Sequence, residues 1–366
     1  MIKKLLFAFL LCFSYLGFSQ NSSLSDQAKV SILTCGTGPE SYAMYGHTGI
    51  RIQDPVSGID VVYNYGAFDF STPNFIGRFV KGDLQYFVTN GSYINFYYNY
   101  QTENREIIEQ EIALTSAQIN QLFEQLNTSV YSEERFYTYK FIDRNCTTMV
   151  VDKINTTLGK EYLKSKTTNQ SYREVLYPYM SDFYLKLGIQ LIFGAKVDEP
   201  ATRLFLPYEF KKSLSQTTLQ GKPISTSTET VLSANKTTPS FAFWNSIYSL
   251  LTALVILALF GKKGVQIGYF MVAGLLGVFF MVVGLYSMHE ELSWNYNALL
   301  FNPLLIGYAW CLWKEKTKAA KLLAKIIAGC LALYIVYMLD KIHLQIVWPF
   351  IVLQAYWLGK GMLKKN

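Results

Sequence analysis

Two regimes of hydrophobic patterning divide the chain near Phe241. Before it, apolar and polar residues mix as in a globular domain; beyond it, long apolar runs dominate. In the first regime, Ala28 to Thr34 predicts a strand, and the loop Cys35-Gly36-Thr37-Gly38-Pro39 breaks regular structure behind it. His47 to Gln53 and Asp60 to Tyr65 are rich in strand formers, and Asp54-Pro55-Val56-Ser57-Gly58 between them carries the turn chemistry of a hairpin. This puts His47 near one strand end, with Tyr63 to Gly66 close to it across the pair. Phe79 to Val88 and Arg105 to Leu114 predict further strands, the second with Ile108, Ile112 and Leu114 at even spacing. The period then changes: Thr115-Ser116-Ala117-Gln118 has the form of a capping box, and Ile119, Leu122, Phe123 and Leu126 follow at helical spacing. A tyrosine-rich strand from Arg135 to Phe141 leads into Asp143-Arg144-Asn145-Cys146-Thr147-Thr148, and Met149 to Leu158 reads as a helix ended by Gly159. Another helix is expected around Met180 to Phe193. From Ser213 to Ser240 the chain is rich in Ser and Thr with little apolar periodicity, which predicts a linker.

Five runs beyond that point suit membrane helices: Phe241 to Phe260, Val265 to Tyr286, Ala298 to Trp313, Leu323 to Leu339 and Leu344 to Leu358. The first two reach the ~20 residues that cross ~30 Å of hydrocarbon, and the last three are shorter. Lysines follow the first, third and fifth runs (Lys262 and Lys263; Lys314, Lys316, Lys318 and Lys321; Lys360, Lys364 and Lys365), which assigns those ends and the C-terminus to the cytoplasm. The loops His289 to Asn297 and Asp340 to His343 then face outward, with Trp294 and Tyr296 suited to an interfacial belt and His289 to a solvated position. At the other end, Lys3 and Lys4, the apolar run Leu5 to Leu16 and Gly17-Phe18-Ser19 form a signal peptide with a small-x-small cleavage site. The expected organisation is therefore a signal peptide (1–19), an exported domain (20–212), a linker (213–240) and a transmembrane bundle of about five helices (241–366).

Composition agrees with this division, since 51% of residues are hydrophobic and only 16% charged. The net charge of +7 asks for no nucleic-acid partner, because the cytoplasmic lysines alone exceed it. Cys12, Cys311 and Cys330 lie in apolar runs, where thiols usually just pack. Cys35 and Cys146 remain in the exported domain, where an oxidising compartment permits a disulfide between them.

His47 is the only histidine before the bundle and so the only imidazole there for proton transfer near neutral pH. Cys146 opens the expected helix, whose N-terminus lowers a thiol pKa. A strand histidine and a helix-opening cysteine make a nucleophile and base if the fold joins them. The competing reading is a Cys35–Cys146 disulfide with His47 a polar strand residue. His289-Glu290-Glu291-Leu292-Ser293 lacks the second histidine of a zinc-protease motif, and neither metal nor cofactor is expected.

The ordered strings Tyr45-Gly46-His47-Thr48 with Arg51, Tyr63-Asn64-Tyr65-Gly66-Ala67-Phe68-Asp69-Phe70, Phe79-Val80-Lys81-Gly82-Asp83-Leu84-Gln85-Tyr86 and Asp143-Arg144-Asn145-Cys146-Thr147-Thr148 resemble a bacterial family with a thiol-hydrolase-like exported domain that includes the lipoprotein N-acyltransferase of Bacteroidota. The domain is also similar to circularly permuted papain-like NlpC/P60 domains, in which histidine precedes cysteine. The resemblance implies an α+β fold, papain-like and followed by an all-α membrane bundle, at the cytoplasmic (inner) membrane with the catalytic domain on the periplasmic side. It further implies acyl transfer from a membrane phospholipid, through a Cys146 thioester, to the α-amino group of a diacylated apolipoprotein, with His47 as base. Asn64 is then a candidate to orient the imidazole, with Tyr63 and Asp69 as competitors, while a backbone N–H near Cys146, Asn145 and Tyr45 are candidates for oxyanion or substrate contacts. Phe75, Phe79, Tyr86 and Phe87 offer an apolar approach for an acyl chain, although strand aromatics are more often core. Two other readings stand beside this one: a cell-wall cysteine peptidase or amidase, or a phospholipase, with the same dyad; and a non-enzymatic envelope sensor or assembly factor.

Overall fold

The computed structural model describes residues 23–165, 169–235 and 241–363, so the expected signal peptide lies outside the described residues. The N-terminal half is built on strands β1 (Lys29–Cys35), β2 (His47–Asp54), β3 (Ile59–Ala67), β4 (Gln85–Ser92), β5 (Ile107–Ile112) and β6 (Phe136–Thr138), with a small ribbon β7 (Thr218–Leu219) and β8 (Lys222–Pro223) and a last strand β9 (Ser225–Leu232). Apart from the ribbon they form one antiparallel sheet in the order β6-β4-β3-β2-β1-β5-β9. Helices α1 (Phe75–Lys81) and α2 (Tyr93–Thr102) flank β4, and α3 (Ser116–Tyr131) and α4 (Cys146–Leu158) follow β5 and β6.

Side-chain alternation along the strands gives the sheet two faces with different tasks. Val30, Ile32, Ile50, Ile52, Tyr63 and Tyr65 point to one face and form the main core with Leu122 and Leu126 of α3 and Val150 and Ile154 of α4. Leu33, Cys35, Val62 and Ile107 point to the other, against Phe96 of α2. The hairpin turn forms as expected, because the Asp54 carboxylate accepts from the Val56 N–H and the Ser57 hydroxyl. The capping box of α3 also forms, with the Gln118 N–H donating to Thr115 Oγ1 and the Thr115 N–H to Gln118 Oε1.

Three expected elements differ. Phe79 to Val88 is not one strand: Ile76, Phe79 and Val80 recur at helical spacing, and α1 ends where Gly82 turns left-handed at φ 78° before β4 begins. The strand expected over Arg135 to Phe141 contracts to β6, held by three register pairs to β4. The stretch 213–240 is not simply a linker. It completes α7 (Pro207–Gln216), which follows α5 (Tyr172–Leu176) and α6 (Phe183–Ile192), and it supplies β9, paired to β5. β9 hides from pattern reading because it is an edge strand whose central residues are exposed on both faces.

The C-terminal half contains α8 (Ile247–Phe260), α9 (Lys263–Tyr286), α10 (Leu304–Trp313), α11 (Thr317–Met338) and α12 (Leu344–Leu363), one for each apolar run. Among the described residues three helices, α9, α11 and α12, are long and apolar enough to cross a membrane. The lengths depart from expectation: α8 has 14 residues, while α11 reaches 22 because its lysine-bearing start at Thr317 winds into the same helix.

The loop between α9 and α10, expected to face outward, is a joint rather than a solvated connection. Glu291 accepts the Ile142 N–H at 3.0 Å on its carboxylate and the Gly194 N–H at 2.7 Å on its carbonyl. Arg173 is buried, donating to Asp198 Oδ1 at 2.8 Å and to Gln190 Oε1 at 2.8 Å, and Tyr296 donates to the second Asp198 oxygen at 2.7 Å. Tyr296 therefore packs in this joint and not in a lipid-facing belt, whereas Trp294 stays exposed.

Candidate active site

Cys146 is the first residue of α4, and the cap in front of it fixes that helix end. Asn145 Oδ1 accepts the Thr147 and Thr148 N–H groups, both at 2.9 Å, while Asn145 Nδ2 donates to the Phe141 and Phe205 carbonyls. The cap leaves the Cys146 N–H as a first-turn donor it does not use. A buried hydroxyl pair, Thr48 Oγ1 and Thr147 Oγ1 at 3.0 Å, pins the helix start to β2.

His47 opens β2 directly opposite Cys35 in the register, on the α2 face of the sheet. The sharp entry needs glycine before it: Gly46 has φ 82°, and a Cβ there would lie 2.5 Å from the Cys35 carbonyl oxygen. Asn64 pairs with Gly49 across the hairpin and so shares the His47 face. With no side chain at Gly49 in the way, His47 Nε2–H donates to Asn64 Oδ1 at 3.1 Å. That bond leaves Nδ1 as the ring nitrogen able to accept a proton from Cys146.

The electrostatics follow from this arrangement. Burial opposes the Cys146 thiolate, but the facing His47 imidazolium, a hydrogen bond from it, the Thr48 N–H and the Thr147 hydroxyl together lower the thiol pKa. Burial likewise opposes charge on His47, yet the Cys146 thiolate and the Asn64 hydrogen bond raise the imidazole pKa. Both shifts favour an ion pair of thiolate and imidazolium. Cys35 is the opposite case: both thiols are free, and burial pushes Cys35 up to about 12 despite Tyr100 and Arg105. A disulfide with Cys146 is not formed, and Cys35 is an inert core thiol.

The remaining sequence candidates separate cleanly. Tyr63 points to the opposite face and donates to Asn127 Oδ1 at 2.7 Å, so it cannot orient His47. Asp69 sits exposed in the turn after β3, its carboxylate accepting from the Ser71 N–H and hydroxyl. Only Asn64 of the three reaches the imidazole. Asn145 spends its polar atoms on the cap and has none free for an oxyanion. The Tyr45 ring lies 5.3 Å from that of Phe141, its hydroxyl buried without a partner among the described residues.

Two residues beside the dyad escaped the sequence reading. Tyr137 is 2% exposed and its hydroxyl has no partner among the described residues. A Cβ placed on Gly66 would be 3.7 Å from Cys146 Cβ and 3.9 Å from this hydroxyl, so Gly66 leaves a small space bordered by both. Arg105 is buried behind His47, donating to the Gly36 carbonyl and stacking on Tyr100, and its positive charge acts against imidazolium. A tyrosine within β6 and an arginine two residues before β5 carry no local signal of a site; only the fold gathers them. Two residues beyond Gly66, Phe68 lines a cleft of about 480 Å³ with Asp69, Thr72, Gln85, Phe87, Arg135 and Phe136. Among the described residues no cluster of three His, Cys, Asp or Glu side chains is placed to hold a metal ion.

Two family models match the chain, that of the Lnb N-terminal periplasmic domain over residues 17–177 and that of the Lnb transmembrane domain over residues 231–358. No curated protein and no solved structure matches it.

Proposed function

The chain belongs to the Lnb-type lipoprotein N-acyltransferase family of Bacteroidota, and from that premise we propose that it transfers an acyl chain from a membrane phospholipid, through a Cys146 thioester, to the α-amino group of a lipoprotein's diacylglyceryl cysteine. The observation that carries this reading is the order Cys146, His47, Asn64 at the N-terminus of α4. A peptidase would use the same three residues. A bundle with three membrane-length helices among the described residues, hydrogen-bonded to the domain, favours substrates that are themselves in the bilayer.

In the first step the Cys146 thiolate attacks the ester carbonyl of the phospholipid, and charge develops on the carbonyl oxygen. The Cys146 N–H and the Tyr137 hydroxyl stabilise that charge. The ester C–O bond breaks, the departing lysophospholipid oxygen takes the proton held by His47, and a thioester remains. In the second step the neutral amine of the acceptor attacks the thioester, His47 Nδ1 removes its proton, and the C–S bond breaks to give an amide and free thiolate. Asn64 holds the imidazole in the tautomer both steps need. On this reading the catalytic domain lies on the periplasmic side and the C-terminus in the cytoplasm, an orientation that the lysine distribution supports.

Removing the gene tests the reading in cells. Lipoproteins should then accumulate with two acyl chains and a free α-amino group, measured by mass spectrometry of a lipoprotein N-terminus; fully triacylated termini in a strain without a redundant enzyme would refute it. Tyr137→Phe is expected to lower kcat about 100-fold while leaving Cys146 alkylation by iodoacetamide unchanged, since the phenol acts on the oxyanion and not on thiolate formation. Asn64→Ala removes a hydrogen bond that raises the His47 pKa, so the alkaline limb of the pH–rate profile should move to lower pH, and Asn64→Gln should restore part of the shift.

A further inference from the structure

The helix that replaced the start of an expected strand has a face the catalytic reading does not use. Ile76, Phe79 and Val80 recur at i, i+3 and i+4 on α1, which puts them on one side, and all three are exposed, Ile76 at 76%. The helix is anchored at its first residue, next to this stripe: Phe75 packs on Phe68 beside the main core and on the exposed Phe70. An apolar stripe left outward on a seven-residue helix needs a partner.

The position of α1 says which partner. Its last turn is bonded to the outward end of the membrane-length helix α9: the Ser287 hydroxyl donates to the Val80 carbonyl at 2.8 Å, the Met288 N–H to the Lys81 carbonyl at 2.7 Å, and His289 Nε2–H to the Phe79 carbonyl at 3.0 Å. Gly82 makes this fit possible, because a Cβ there would sit 3.0 Å from the His289 ring in addition to its positive φ. The exposed stripe of α1 is thereby level with the end of α9, where Leu285 (87% exposed), Tyr286 and Met288 continue the apolar surface. Arg78 and Lys81, both partly exposed around Asp83, add cationic groups at the same height.

We propose that α1 is an interfacial helix whose Ile76, Phe79 and Val80 face inserts into the outer leaflet of the membrane that α9 spans, continuing the lipid-facing surface of that helix into the catalytic domain. A short helix with an apolar face, basic flanks and a fixed junction to a membrane span matches the physics of in-plane insertion. The segment from Gly66 to α1 then runs from the space beside Cys146 to the headgroup boundary.

Photo-crosslinking of the full chain in nanodiscs tests this without requiring any activity. The probe is a phosphatidylcholine carrying a diazirine near the carboxyl end of one acyl chain, with adducts mapped by mass spectrometry. Adducts on Ile76, Phe79 or Val80 are expected together with adducts at Leu285. Labelling of α9 with none between Phe70 and Lys81 would overturn the proposal. In Ile76→Asp the α1 adducts should disappear while those on Leu285 persist, showing an intact bundle, and Ile76→Leu should keep both. Undiminished α1 labelling in Ile76→Asp would also contradict insertion of this face.

Discussion

Cys146→Ser should abolish acyl transfer, by at least about 10³-fold in kcat/KM, with the fold unchanged. The exchange of Sγ for Oγ is nearly isosteric, and the hydrogen bonds that place α4 run through Asn145, Thr147 and Thr48 rather than through the thiol. What is lost is ionisation. His47, the Thr48 N–H and the Thr147 hydroxyl lower the thiol pKa and so favour the thiolate, and the same neighbours cannot ionise a hydroxyl, whose pKa is far higher. Cys35→Ser is the matched control. Its sulfur is buried, in no disulfide, hydrogen-bonded only to Tyr100 among the described residues and held protonated, so that variant should lose little activity. Equal damage from both substitutions would instead support a structural link between the two thiols. The wild-type pH profile follows from the same shifts. Cys146 is lowered, so the acid limb of kcat/KM should lie below the ordinary thiol range; His47 is raised, so the alkaline limb should lie above an ordinary histidine.

The second large effect concerns stability and lies far from the dyad. Arg173→Met is expected to destabilise the protein by about 3–5 kcal/mol, because it leaves the buried Asp198 carboxylate without its cation. Arg173 and Asp198 are 1% and 7% exposed, and the guanidinium also serves the Gln190, Phe193 and Gly194 carbonyls, so several acceptors lose their donor at once. The consequence reaches across the molecule, since Asp198 also holds Tyr296 of the loop that joins the bundle. An apparent Tm in nanodiscs lower by on the order of 10 °C is the expected reading. The double variant Arg173→Met/Asp198→Leu should recover part of the loss, as removal of both buried charges costs less than removal of one. Alkylation of Cys146 below the transition should stay normal in both.

The core strands and the dyad were legible in the sequence because their signals are local. Turn residues around Pro55 and Gly58 mark the β2–β3 hairpin, the Thr115 to Gln118 box marks α3, and a lone histidine and an Asn-Cys string at a helix start mark the site. Asn64 was readable as well, since hairpin pairing carries it to the histidine's face while sending Tyr63 to the other. What the pattern hid depends on long-range packing. β9 is an edge strand of Ser and Thr with no buried periodicity, α1 is too short to outweigh strand-forming Phe and Val, and the tyrosines of α2 have stronger β than helix preference. Tyr137 and Arg105 join the candidate site only because β6 and the segment leading into β5 deliver them beside Cys146 and His47. The joint through Arg173, Asp198 and Tyr296 brings together residues from three distant parts of the chain, and no local motif announces it.

The central claim is that Cys146 carries the acyl chain from phospholipid to amine. Its most direct test reconstitutes the purified full chain with phosphatidylethanolamine vesicles and a synthetic diacylated lipopeptide bearing a free α-amine, and follows both enzyme and peptide by intact mass. Wild type should show one hydroxylamine-labile acyl adduct on Cys146 and then a lipopeptide heavier by that same acyl chain on its α-nitrogen, with neither product from Cys146→Ser. Free fatty acid with an unmodified lipopeptide, or acylated lipopeptide formed by Cys146→Ser, would contradict the account.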